Sequence, residues 1–355
     1  MAKGCIRTAS LPRLDPERPG VSIIVPAYNA ADTLTECLQA LREAMTAKDE
    51  LIVFDDGSTD NTPAIAQAAG AKVLSNPGAP KGPAHGRNTA AAAATKPWLL
   101  FIDADVILHQ DAIELLAGAT KETDSSAAFG SYDDQPRSLR TTSLYANLRH
   151  HFVHQQGQQR ASTFWSGIGL IERMTFLKAG GFDVRQFSHP SIEDVELGMR
   201  LVSAGYRIVL VPQAQGTHWK DWSLWRVWHT DVIRRALPWS RLIADGKVAT
   251  SDLNLAHSER RLAALALSVP LFATLGIIWR GALLVSVAAL ILYVLGNRRF
   301  FAFLARRLPL GKLLGAIVMH WCYHIYASVT FAAVLMATKL GLRPGTGDLA
   351  ASNTR

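Results

Sequence analysis

Apolar residues in the first half of this chain come in short unbroken blocks. Residues 21–26, 51–54, 72–75 and 98–102 each read as a strand, the first, second and fourth as buried ones. Between them the spacing changes to that of a helix. Leu34, Cys37, Leu38, Leu41 and Met45 share one helical face, and Thr33 with Glu36 forms a candidate capping box in front of them. Residues 60–63 open the next helix, with Pro63 at an early position and Gly70 just past its end. An Ala-rich run over 87–95 predicts a third. Strands alternating with helices predict a mainly parallel sheet covered on both faces, and such sheets bind ligands at the carboxyl ends of their strands. Farther on, 164–172 reads as extended, 192–203 as a helix stopped by Gly205, and 207–211 as a strand ending at Pro212. Residues 126–154 carry no pattern that assigns an element.

The last hundred residues change character. Segments 262–279, 281–296 and 313–338 contain no Asp, Glu, Lys or Arg, although the third carries His320 and His324. A membrane span needs about 20 apolar residues. The third segment meets that length; the first two, split by Arg280, fit two short spans or one re-entrant unit. Between them and the third, 297–312 mixes Arg298, Arg299, Arg306 and Arg307 with Phe300, Phe301 and Phe303, as a helix in the headgroup plane would. About three spans are expected. The resulting division is a loose leader (1–20), a catalytic domain (21–218), a Trp/Arg-rich segment (219–260), a membrane region (261–340) and a tail (341–355).

Charge follows the same division. The net charge is +8, but residues 256–355 hold 11 Lys and Arg against 2 Asp and Glu, and residues 1–255 hold 26 against 27. The basicity therefore belongs to the apolar tail and points to a membrane surface. Nucleic-acid binding, which needs a basic patch on the folded domain, is not expected. The Arg clusters place the catalytic domain on the cytosolic side of a multi-pass protein of the cell (inner, cytoplasmic) membrane. Cys5, Cys37 and Cys322 show no metal-ligand spacing and suggest reduced thiols. The polar, proline-rich start has no apolar core of a secretory signal.

Candidate chemistry sits at strand ends. Asp103-Ala104-Asp105 follows a buried strand, where two carboxylates can face one hard cation and its bound phosphates; solvated acids in a turn are the plain alternative. Asp55-Asp56-Gly57-Ser58 also follows a strand and could accept from a base or a ribose, or be turn chemistry alone. His85-Gly86-Arg87-Asn88 opens the Ala-rich helix, and Arg87 could reach a pyrophosphate or lie on the surface. Glu193-Asp194 starts a helix, where the macrodipole favours the anion a general base requires; ordinary acid enrichment at helix starts competes with that reading. His218 is a possible third metal ligand or a structural histidine. Trp219, Trp222, Trp225 and Trp228, interleaved with Lys220 and Arg226, suit either a membrane interface or packing on the domain.

As an ordered set these stretches resemble family 2 glycosyltransferases. The resemblance rests on Val-Ser-Ile-Ile-Val-Pro-Ala-Tyr-Asn (21–29), Asp55–Ser58, Gly86-Arg87-Asn88, Asp103–Asp105, Gly180-Gly181-Phe182-Asp183, Glu193-Asp194 and Gly205-Tyr206-Arg207. It covers roughly residues 21–218. It implies a GT-A fold, a nucleotide-diphosphate sugar donor with UDP or GDP, Mg²⁺ or Mn²⁺, and inversion at the anomeric carbon. By motif, Pro26, Tyr28, Asp55 and Asp56 would hold base and ribose, and Arg87 would lie near the nucleotide. Asp103 would lie near ribose or metal, Asp105 on the metal with His218 as a further ligand, and Asp194 would be the base with Glu193 supporting it. Processive members carry Q-x-x-R-W after the acidic pair; here the stretch reads Arg234-Arg235-Ala236-Leu237-Pro238-Trp239. That departure favours single transfer to a lipid or lipid-linked acceptor over polymer synthesis. Two rivals stand beside it. A sugar nucleotidyltransferase would need a Gly-rich phosphate loop where Pro26-Ala27-Tyr28-Asn29 stands. A catalytically dead membrane scaffold would be expected to lose acids that are present here.

Overall fold

The computed structural model describes residues 18–246 and 257–342. Most of the expected leader, residues 1–17, and the tail beyond 342 lie outside the described residues, as does part of the 219–260 segment. The chain opens with β1 (Val21–Ala27), α1 (Ala31–Ala44), β2 (Glu50–Asp55), α2 (Thr62–Ala68), β3 (Lys72–Ser75), α3 (Pro83–Ala93) and β4 (Trp98–Ile102). Then follow β5 (Val106–Leu108), α4 (Ala112–Thr123), β6 (Ala127–Tyr132), α5 (Thr141–Gln156), β7 (Arg160–Ala161) and β8 (Ile168–Glu172). The domain ends with α6 (Arg173–Lys178), α7 (Glu193–Ser203) and β9 (Ile208–His218). Beyond it lie α8 (Leu224–His229), a π-helix (Thr230–Ala236) and α9 (Leu237–Ala244). The last four helices are α10 (His257–Leu275), α11 (Gly281–Gly296), α12 (Arg298–Ala305) and α13 (Leu310–Lys339).

The strands form one sheet in the order β3-β2-β1-β4-β8-β6-β9-β5, with β7 beside β9. Strand β1 explains the two-faced core. Val21, Ile23 and Val25 point into a layer shared with α1 and α4, while Ile24 points the other way, into a layer shared with α3 and α7. Burying one such side chain contributes about 1.5–3 kcal/mol, so unbroken apolar strands are the signature of this layer order. The sheet is mixed, which corrects the mainly parallel expectation. Strands β1, β2, β3 and β4 are parallel, but β8 pairs antiparallel with both β4 and β6, and β5 antiparallel with β9. The change of direction enters at β8, which lies between β4 and β6 and runs against both.

Several boundaries also shift. Thr33 makes no capping box: α1 is capped at Ala30 without a side-chain bond, and the Thr33 hydroxyl donates to the Ala104 carbonyl instead. Residues 164–167 precede the strand that 164–172 predicted. Strand β9 does not stop at Pro212, because a register shift opposite residues 129–131 absorbs the proline and the pairing resumes at Gln215. The unassigned region 126–154 holds β6 and most of α5.

The tail differs from three spans. Among the described residues one helix, α13, is long and apolar enough to cross a membrane, and α11 with α12 passes only as a pair bent by 64°. Helix α10 starts with Glu259, Arg260 and Arg261 and contains Pro270. The 16 residues of α11 rise about 24 Å, short of the ~30 Å hydrocarbon layer. The expected interfacial helix 297–312 is shorter, ending at Ala305, and residues 310–312 already belong to α13.

Helix α7 approaches the chain before β8 so closely that only glycine fits at 198. A Cβ there would lie 2.1 Å from the Phe164 amide nitrogen. Gly198→Ala is expected to destabilise the fold by roughly 1–3 kcal/mol and to lower the melting temperature. An unchanged thermal melt would contradict this packing.

Candidate active site

The carboxyl ends of β1 and β4 and the start of α7 open onto one cleft. Pro26, Tyr28, Arg87, Asp103, Asp105, Glu193, Asp194 and His218 all line it. Arg87 is the centre of this arrangement. It is buried, and its guanidinium donates to Asp103 Oδ1 at 2.6 Å and Glu193 Oε1 at 3.1 Å. Its Nε has no hydrogen-bond partner, and Phe182 packs 5.6 Å from its charge. The expected placement near a nucleotide therefore takes a specific form: Arg87 joins the strand-end acid to the helix-start acid. Asn88 fixes the same helix from its next position, exchanging hydrogen bonds of 2.8 and 2.9 Å with the Phe182 backbone. Gly181 meets Asn88 at φ 66°, a conformation that glycine adopts freely.

Electrostatics divide the acids. Burial raises the Asp103 and Glu193 carboxyls, with Asp105 and Asp194 respectively adding to it, against the pull of Arg87. Asp105 goes the other way: burial opposes its charge, but Lys220 and His218 hold it below the usual carboxylate range. Lys220 Nζ lies 3.3 Å from Asp105 Oδ2, and His218 Nε2 lies 3.8 Å from Oδ1. His218 is pushed down to about 4 by burial, although Asp105 pulls upward. It is thus neutral at pH 7, as a metal ligand must be. Two features hold it there: the ladder pairs Val106 with His218, and the Tyr132 ring stacks on the imidazole at 4.1 Å.

Asp194 lines the same cleft. Its Oδ2 accepts from the Ser166 amide at 2.9 Å and the Ser166 hydroxyl at 3.1 Å, and its Oδ1 from the Val195 amide. These bonds fix the carboxylate's orientation. Glu193 is turned inward, with its second oxygen accepting from the Ser191 amide at 2.8 Å.

Two expected donor contacts change. Asp55 is buried, accepts from the Ser58 amide, and is not among the cleft's lining residues. Asp56 reaches the cleft wall, but its carboxylate accepts from the Lys81 and Gly82 amides and from Asn76 Nδ2, at 2.7–3.0 Å. Four donor contacts occupy it, so it anchors the loop leading into α3. The Trp-rich segment does more than lie at a surface: Trp222, Trp225, Arg226, Arg234 and Arg235 line the cleft. Ser166 was not singled out by the sequence, and Lys220, Arg234 and Arg235 stood out there only as basic residues near the tryptophans, not as cleft residues. Ser166 has no pattern signal, whereas Lys220 could have been found from its place two residues after His218.

Among the described residues no cluster of three or more His, Cys, Asp or Glu side chains is arranged to hold a metal ion. A Mg²⁺ or Mn²⁺ site completed by substrate phosphates needs only one or two protein ligands. Asp105 and neutral His218 have that donor chemistry.

Comparison with known proteins fits this geometry. Residues 22–180 match the family described as Glycosyl transferase family 2. The chain carries a family 2 glycosyltransferase domain. The match ends before Asp194 and His218. A TPR repeat-containing protein of Synechococcus elongatus is 40% identical to this chain over 124 residues, 35% of this chain and 27% of that protein. The poly-beta-1,6-N-acetyl-D-glucosamine synthase of Staphylococcus aureus is 25% identical over 62% of this chain and 57% of its own. The chain thus spans about a quarter to three fifths of the length of these curated relatives. The mannosyltransferase PcManGT of Pyrobaculum calidifontis, solved with GDP-Man and Mn²⁺, superposes with a TM-score of 0.55 at 22% identity, covering 89% of this chain and 88% of that one. This likeness shows the fold, a GT-A arrangement.

The anchoring role of Asp56 is testable. Charge-assisted hydrogen bonds contribute about 1.5–3 kcal/mol each, so Asp56→Ala is expected to destabilise the glycosyltransferase domain by several kcal/mol in a denaturant titration. Unchanged stability with lost nucleotide binding would return Asp56 to a direct donor contact.

Proposed function

We propose that the protein transfers one sugar, with inversion, from a nucleoside-diphosphate donor to an acceptor at a membrane surface. The observation that carries this reading is the single cleft lined by Asp105, His218 and Asp194, with Arg87 bridging Asp103 and Glu193. The donor would lie along Pro26, Tyr28 and Asp103, with UDP or GDP as its nucleotide. Asp105 and His218 would hold Mg²⁺ or Mn²⁺, which would neutralise charge on the leaving diphosphate. The mannosyltransferase solved with GDP-Man and Mn²⁺ supports a nucleotide-sugar donor and a divalent cation by analogy.

In the transfer, the acceptor hydroxyl oxygen bonds to the anomeric carbon from the face opposite the diphosphate. The bond from that carbon to the diphosphate oxygen breaks, and the nucleoside diphosphate leaves with the electron pair. Asp194 takes the hydroxyl proton. Ser166 aims the carboxylate, and Glu193 acts through Arg87 as a positioning residue. Placing the acceptor at a membrane rests on the apolar helices that follow the domain. Single transfer rather than polymer synthesis rests on Arg234–Trp239 standing where processive enzymes carry their motif. A lipid or lipid-linked acceptor and a cytosolic active site are parts of the same proposal.

General-base removal typically costs about 10²–10⁴ in rate. Asp194→Asn is expected to lose transfer by that factor while nucleoside-diphosphate affinity stays within a few-fold. Asp105→Asn is expected to lose the cation dependence of donor binding. Both are read by calorimetric titration and by sugar incorporation into extracted membrane lipids, supplied with UDP- and GDP-sugars. Near-normal transfer by Asp194→Asn would remove it from the mechanism.

A further inference from the structure

The chain that leaves β9 is pinned to the acidic turn. The Trp219 amide donates to the Asp105 carbonyl at 2.7 Å, so residue 220 starts its side chain directly beside the Asp105 carboxylate. Lys220 Nζ then reaches Asp105 Oδ2 at 3.3 Å. His218 faces the other oxygen at 3.8 Å. A divalent cation entering between Asp105 and His218 meets the ammonium group already there. The ammonium repels a second positive charge beside the same carboxylate, so a cation that binds Asp105 weakens the Lys220 ion pair and favours its displacement.

Lys220 is free to move. Its side chain is 46% exposed, its stem is flexible, and Trp222 offers a ring 5.0 Å from Nζ. Among the described residues, Asp105 is the one carboxylate within 4 Å of it. Asp103 is already held by Arg87. Within the proposed function the only new negative charge that arrives with the cation is the donor's diphosphate.

We propose that Lys220 is an exchangeable counter-ion: it neutralises Asp105 in the empty cleft and passes to the nucleoside diphosphate when a divalent cation takes its place. This rests on the reading of Asp105 as a metal ligand. It goes further, because it makes cation and nucleotide bind together. The cation alone must break an ion pair without replacement; with the nucleotide present, the displaced ammonium gains a diphosphate partner. Linkage makes the effect reciprocal, so each ligand tightens the other by the same factor.

The test uses the full chain in detergent micelles. Mn²⁺ binding is followed by electron paramagnetic resonance of the free ion, with and without UDP or GDP, corrected for the Mn²⁺–nucleotide complex in solution. Wild type is expected to bind Mn²⁺ at least about tenfold tighter with its nucleotide than without it, within the usual range of coupling. Lys220→Met is expected to bind Mn²⁺ alone about tenfold tighter than wild type does, to bind nucleotide more weakly, and to lose most of the coupling. Lys220→Arg, which keeps the charge, is expected to retain the coupling. A Lys220→Met protein with wild-type Mn²⁺ affinity and wild-type coupling would overturn the counter-ion role and leave the metal reading standing. A wild-type protein that binds no Mn²⁺ under either condition would overturn the metal reading, and the counter-ion role with it.

Discussion

One buried guanidinium organises this protein. Arg87 stands on a helix packed against the early parallel strands, yet its two carboxylate partners come from the end of β4 and the start of α7. Those partners are 16 and 106 residues away in the chain. An isolated buried charge is costly, and a paired one becomes tolerable only with good geometry. The side chain with its two acids therefore fixes the distance between the two halves of the domain. Asp105 follows Asp103 by two residues and Asp194 follows Glu193 directly, so the ion-pair cluster sets the spacing of these two cleft carboxylates without consuming them.

The same logic explains which parts could be read from sequence. Strands β1, β2 and β4 are buried on both faces, so they appear as continuous apolar runs, and the acids after them stood out. The layer order followed from the alternation of those strands with helices. The later half hid itself. Strand β6 reads Ala-Ala-Phe-Gly-Ser-Tyr and α5 carries Ser, Asn and His on its buried face, so neither shows a clear period. Pro212 suggested a strand end because no sequence rule announces the register shift that accommodates it. Asp56 looked like its neighbour Asp55, and only the backbone amides of Lys81 and Gly82 separate an anchor from a ligand contact. Counting apolar residues gave three spans because it measures composition, whereas crossing a bilayer depends on the unbroken length of each helix.

Helix α13 links the apolar tail to the cleft. Its His320 meets Tyr145 of α5 and Asn297, and His324 meets Tyr293 and Glu259. Two residues farther, the Tyr326 hydroxyl donates to the buried Asp231 of the π-helix at 2.6 Å. Three and four residues on, Arg234 and Arg235 line the cleft. The α10–α11 pair presents a different surface: Ile277, Ile278 and Trp279 at its turn and Leu284 and Ile291 along its flank are exposed. A contiguous apolar surface of this kind marks a membrane or partner contact.

The central claim is that Arg87 couples the two acid-bearing halves into one site, and a double-mutant cycle on stability tests it without any knowledge of substrate. Arg87→Met, Glu193→Gln and the double variant are compared with wild type by denaturant titration. The account predicts that the double variant is less destabilised than the two single changes added together, by about 1–3 kcal/mol, because each single change strands the charge that the other removes. Effects that add to within about 0.5 kcal/mol would contradict it.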